Sequence, residues 1–125
     1  MAKVLKRDEL PTFDSTRDTR DRLDLVKGGV PAETRYIQAD RIIYHPGDTC
    51  AKHYHIGAHH VFVMLEGEVM LCTPLGCELL KTGQTAVIQP EEVHWFENRS
   101  SENCSFVEFW APPPTESVWI VENDV

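Results

Sequence analysis

From residue 35 onward the chain runs in short apolar-rich bursts separated by turn residues. The bursts cover 35–44, 60–65, 68–72, 77–81, 85–89, 94–97 and 104–110, and the breaks fall at sequences such as His45-Pro46-Gly47-Asp48, Glu66-Gly67 and Thr82-Gly83. Seven or eight strands at this spacing predict an all-β sandwich or barrel. A helical apolar period is missing except for a weak one over 20–27. Residues 1–34 are polar and charged; 12–22 alternates Arg with Asp and reads as a loop or arm on the outside of the domain. Within that arm, Val4-Leu5 is expected to pair as an edge strand with a neighbouring subunit, and Gly28-Gly29 and Pro31 punctuate the chain. The run Pro112-Pro113-Pro114 stops the last core strand. The expected organisation is therefore an arm (1–34), a barrel (35–111) and a tail (112–125) with Trp119 and Ile120 as docking residues.

Composition narrows the class. A chain of 125 residues, 42% hydrophobic, has one domain's worth of core. Its longest purely apolar run, Val61 to Leu65, is far below the roughly 20 residues of a membrane span. No apolar stretch follows the basic start, so no secretory signal is visible and a cytoplasmic location is expected. The net charge is −8 with only 12 Lys and Arg, which argues against nucleic acid and anionic membranes as partners. Cys72 and Cys77 flank Thr73-Pro74-Leu75-Gly76 and could face each other across a hairpin. In a cytoplasmic protein reduced thiols are nevertheless the expected state of all four cysteines.

The chemistry-bearing residues are histidines. His53 and His55 sit two apart, so on a strand both point to one face. Two imidazoles do not saturate a metal, and neighbouring strands must supply the rest. Next in the chain are His59 and His60, of which only one can face the interior. His60, Phe62 and Met64 share one face; His59, Val61, Val63 and Leu65 share the other, and alternation alone does not choose between them. On the last burst, either Phe106, Glu108 and Trp110 or Val107 and Phe109 face inward. His45, before a Pro-Gly turn, reads as a surface residue.

Around these residues two spaced patterns stand out. The first runs Gly47, DTCAK, His53-Tyr54-His55, IGAH, His60, VFVMLE, Gly67; the second runs Gly83, QTAVI, Gln89-Pro90-Glu91, EV, His94, WFE, Asn98. Together they resemble the two motifs of the cupin superfamily over about residues 35–111. The resemblance selects His60 over His59, because only His60 leaves Gly67 at the motif's second glycine. His59 then stays solvent-facing or behind a ligand. It implies a double-stranded β-helix (jelly-roll) barrel and a metal held by His53, His55, His60 and His94, with His60 where family members usually carry Glu. In the second motif Gln89 and Glu91 stand where the family has Pro and Gly. Four neutral imidazoles would leave a divalent ion's charge uncompensated and favour an anionic oxygen at an open position.

The resemblance further implies a divalent transition metal (Fe, Zn, Ni or Cu), a homodimer and a small-molecule substrate. Phe62, Met64, Phe96, Asn98, Phe106 and Trp110 are the expected pocket residues, suited to an apolar or aromatic enolisable compound. Tyr44, Tyr54 and Glu108 are the candidate acid, base or supporting groups. The leading expectation is a dioxygenase. A Lewis-acid cyclase, isomerase or lyase similar to four-histidine polyketide cyclases is the first alternative, and a non-catalytic metal-dependent ligand sensor the second.

Overall fold

A computed structural model of the chain describes residues 21–26 and 38–120, and every regular element among them is a β-strand. In chain order they are β1 (Asp21–Val26), β2 (Gln38–Tyr44), β3 (His53–Ile56), β4 (His59–Glu66), β5 (Glu68–Thr73), β6 (Gly76–Lys81), β7 (Thr85–Ile88), β8 (Trp95–Glu97), β9 (Cys104–Ala111) and β10 (Glu116–Trp119). One sheet has the order β1-β2-β9-β4-β7. A pair β10-β3 and a triplet β6-β5-β8 make up the rest, and the bridges His53–His94 and Thr49–Glu97 join these two pieces. All pairings are antiparallel, which gives a two-layered jelly roll.

Alternation decides which side chains enter the space between the layers. On β4, His60, Phe62 and Met64 are buried while Val61 and Val63 are half-covered and Leu65 is exposed. On β9 the inward set is Phe106, Glu108 and Trp110, which settles the choice that alternation had left open. Tyr44, Phe62, Phe96 and Phe106 meet in the core, with Phe62 edge-on to Phe96 at 4.6 Å and Tyr44 stacked on Phe106 at 5.8 Å between ring centroids. A fully buried Phe contributes about 1.5–3 kcal/mol. A turn hydrogen bond contributes about 1 kcal/mol, so the ring cluster is the main anchor of the two layers. The β4–β5 hairpin needs glycine at position 67: its φ is 71°, and a Cβ there would lie 2.8 Å from the Asn103 carbonyl oxygen.

Three expectations are corrected. The segment 20–27, within the expected arm and showing only a weak helical period in sequence, contains strand β1, paired with β2 from Asp21 opposite Ile43 to Val26 opposite Ala39. The open edge of β2 outweighs a weak local pattern. The tail beyond the prolines is not merely a docking segment: after the cis Ala111–Pro112 bond the chain returns as β10 along β3. Both strands carry the sheets beyond the expected barrel limits of 35–111. Finally, Cys72 and Cys77 are disulfide-bonded rather than reduced, because the β5–β6 register sets them directly opposite each other. The expected edge strand at Val4-Leu5 lies outside the described residues.

Candidate metal centre

Short-range geometry places three imidazoles at one point. His53 and His55 leave the same face of β3 and are buried. His94 lies just before β8 and pairs with His53 backbone to backbone: His53 N donates to His94 O at 3.1 Å, and His94 N donates to His53 O at 2.9 Å. Directly opposed residues of an antiparallel pair share a face, so the His94 ring joins the other two. One ring nitrogen from each of His53, His55 and His94 lies within 4.8 Å of the others. Ring centroids are 4.8 Å apart for His53–His55 and 4.3 Å for His53–His94.

The outward nitrogens are held. Nδ1 of His53 is 2.7 Å from the Ala51 carbonyl oxygen, and Nδ1 of His94 is 2.9 Å from the Glu92 carbonyl oxygen. A carbonyl only accepts, so these Nδ1 atoms carry the protons and each Nε2 carries a lone pair. Nδ1 of His55 is 2.7 Å from Ser117 Oγ. Nδ1–H groups pinned by carbonyls, as on His53 and His94, beside a converging His55 ring nitrogen are what a metal of borderline softness requires of imidazole ligands. The residues therefore fit a metal ion on the chemistry of the donor set. Burial, followed by the charge that His94 would carry, lowers the pKa of His53 from 6.5 to about 2, with smaller contributions from His55 and His60. The ring is thus neutral, as a ligand must be.

His60 stands beside the trio. Its ring centroid is 4.9 Å from that of His55 and 5.4 Å from that of His94. Its Nε2 is 2.9 Å from Glu108 Oε2, with both side chains fully buried, and its ring stacks on Trp110 at 4.3 Å. Three of the four expected ligands thus converge, and the fourth is tied to a carboxylate. A cavity of about 320 Å³ opens here; His53, His55, His60 and Glu108 line it with Phe96 and Trp110, and residues 114–117, Gln38 and Trp119 complete its wall.

Other expected residues lie elsewhere. Phe62, Met64 and Phe106 belong to the core and are not among the residues lining the cavity, because the aromatic cluster fills the space below the imidazoles. Asn98 holds a turn instead, its Nδ2 donating to Tyr44 O at 3.1 Å and Glu102 O at 2.8 Å. Tyr44 is in the core between Phe96 and Phe106. Tyr54 alternates away from His53 and His55. His59 is exposed, and half-exposed His45 bonds Asp48 through Nδ1 at 2.9 Å. Sequence reasoning did not single out Ser117 or Asp40. Asp40 is buried on β2 directly opposite Glu108, and its one sequence sign is the two-residue spacing to Ile42 and Tyr44.

An all-β jelly roll whose inward imidazoles cluster closely enough to hold a metal ion defines the class of this chain. Residues 40–110, more than half of the chain, match the family described as Cupin domain, and the chain belongs to the cupin family. Similar solved structures include the polyketide cyclase RemF from Streptomyces resistomycificus (TM-score 0.84, 17% identity, 99% of this chain and 89% of that one). They also include a cupin-superfamily sugar phosphate isomerase from Silicibacter pomeroyi (TM-score 0.76, 19% identity, 94% and 82%). A predicted oxalate decarboxylase from Thermotoga maritima is a third (TM-score 0.74, 16% identity, 88% and 99%). At these identities the likeness concerns the fold. A sequence search of curated proteins gives no match. Among the described residues no helix is long and apolar enough to cross a membrane.

Proposed function

We propose that this chain is a metal-dependent cupin enzyme that binds a small enolisable organic substrate in its cavity and moves a proton on it. The observation that carries the reading is the convergence of the His53, His55 and His94 ring nitrogens within 4.8 Å, beside a cavity. A bound divalent transition ion (Zn, Ni, Fe or Cu) would supply a Lewis-acidic centre there, and a redox-active one also a route to O2 chemistry.

The chain's own residues would do the rest. His60 Nε2 and Glu108 Oε2, 2.9 Å apart on the cavity wall, hold a proton between them and are the groups placed to take one from, or return one to, a substrate carbon. Trp110 stacks on His60 and covers one face of that ring. Gln38, Thr115 and Glu116 give the cavity a polar side, while Phe96, Trp110 and Pro114 give it an apolar one. A substrate with an oxygen-bearing end and a carbon skeleton fits such walls. The names of the similar structures, a polyketide cyclase and a sugar phosphate isomerase among them, support proton-transfer chemistry of this kind.

A second reading is the dioxygenase expected from the sequence, favoured by the donor set itself: imidazoles suit Fe, Cu and Ni as well as Zn. One experiment separates the two. Metal-loaded protein is incubated in D2O with a panel of enolisable and catecholic compounds, following α-proton exchange by NMR and oxygen by electrode. Exchange without oxygen consumption is the result expected. Oxygen uptake in step with substrate loss would make the chain a dioxygenase, and a ligand that binds with neither change would make it a sensor.

A further inference from the structure

Strand β10 lies outside residues 40–110, the part of the chain that matches the family, yet it forms one wall of the cavity. Its register on β3 sets Ser117 opposite His55 and Trp119 opposite His53. Opposed residues share a face, so both side chains are delivered to the imidazoles rather than to solvent. Ser117 Oγ lies 2.7 Å from His55 Nδ1. The Trp119 ring lies over His53 at 4.5 Å, tilted by 30°. The register is fixed at both ends, by Thr115 N donating to Ile56 O at 3.1 Å and by Ile120 N donating to Lys52 O at 2.9 Å.

We propose that Ser117 is a positioning residue for the metal centre: its hydroxyl accepts the Nδ1 proton of His55, locks the Nδ1–H tautomer and so keeps the Nε2 lone pair aimed at the ion. This rests on the metal-centre reading above. Backbone carbonyls do the same for His53 and His94, and neither can be removed by substitution. His55 alone depends on a side chain brought from 62 positions away. A slip of β10 by one residue would replace Ser117 with Glu116 or Val118 opposite His55 and change the ligand's support.

The test uses the full chain and Zn(II), with a chromophoric chelator as competitor, and Co(II) as a spectroscopic substitute. Replacing the hydroxyl (Ser117→Ala) is expected to weaken metal binding by about 10–100-fold, the usual effect of removing a partner behind a ligating imidazole. The conservative variant Ser117→Thr is expected to restore most of it. Independently of metal, 15N NMR of the metal-free wild type at neutral to mildly basic pH is expected to report His55 as the Nδ1–H tautomer. Equal Zn(II) affinity and an unchanged Co(II) spectrum in Ser117→Ala would overturn the proposal while leaving the metal centre intact. So would an Nε2–H tautomer of His55 in the wild type. A wild-type chain that takes up no metal would overturn the metal-centre reading and this inference with it.

Discussion

Acidification of the metal-free chain probes the imidazole cluster without any knowledge of substrate. His53 is buried among neighbouring imidazoles, and its pKa falls from 6.5 to about 2 for that reason. Its folded-state value is depressed, so between those two pH values the unfolded chain binds a proton that the folded chain refuses. Stability from this source is complete above the unfolded value and is lost as pH falls below it, at about 1.4 kcal/mol per pH unit. At about pH 5 the loss from His53 alone is about 2 kcal/mol, a sizeable share of the roughly 5–15 kcal/mol of a typical domain. Urea unfolding in the presence of a chelator, at about pH 7.5 and about pH 5, reads it as a lower midpoint at the acid value with an unchanged slope. His53→Gln removes the titrating ring and should shrink the difference. Equal midpoints in the wild type at the two pH values would refute the claim that folding holds this ring neutral.

Two further predictions concern residues near and far from the centre. His60→Ala and Glu108→Gln should each lower turnover by about 10²–10⁴, the usual worth of a positioned acid–base group, while metal retention by competition titration stays within about tenfold of wild type; metal loss as severe as in His53→Ala would make His60 a ligand. Cys77→Ser opens the short loop closed with Cys72, and should cost up to about 2 kcal/mol in urea unfolding while leaving metal affinity unchanged.

Much of the barrel was legible because its signal is local. The period of two grouped His60, Phe62 and Met64 on one face of β4, the motif resemblance chose that face as the inward one, and Gly67, whose φ is positive, marked the hairpin after it. The pair His53 and His55 was legible for the same reason, and the resemblance to the two cupin motifs added His60 and His94 as expected partners. What escaped depends on pairings between distant segments. Nothing near Ser117 announces that β10 will lie on β3 and reach His55, and the open edge of β2 is what makes a strand of the charged segment containing β1. The link between His60 and Glu108 required knowing that Phe62 faces Glu108 across β4 and β9, which places Glu108 beside the inward row of β4. Pocket and core share one face of each strand, so alternation could not tell Phe96 and Trp110, which line the cavity, from Phe62, Met64 and Phe106, which lie beneath it. The disulfide followed from register, whereas the expectation of free thiols followed from a presumed compartment.

The central claim is that His53, His55 and His94 together hold one metal ion. Its most direct test is the metal content of the full chain after loading with Zn(II) and exhaustive desalting, measured by mass spectrometry beside the three single His→Ala variants. The account predicts about one ion per wild-type chain and a loss of about 90% or more in each variant, since a structural or catalytic zinc needs at least three protein ligands. Less than about 0.1 ion per wild-type chain, or full retention in any one of the three variants, would contradict it.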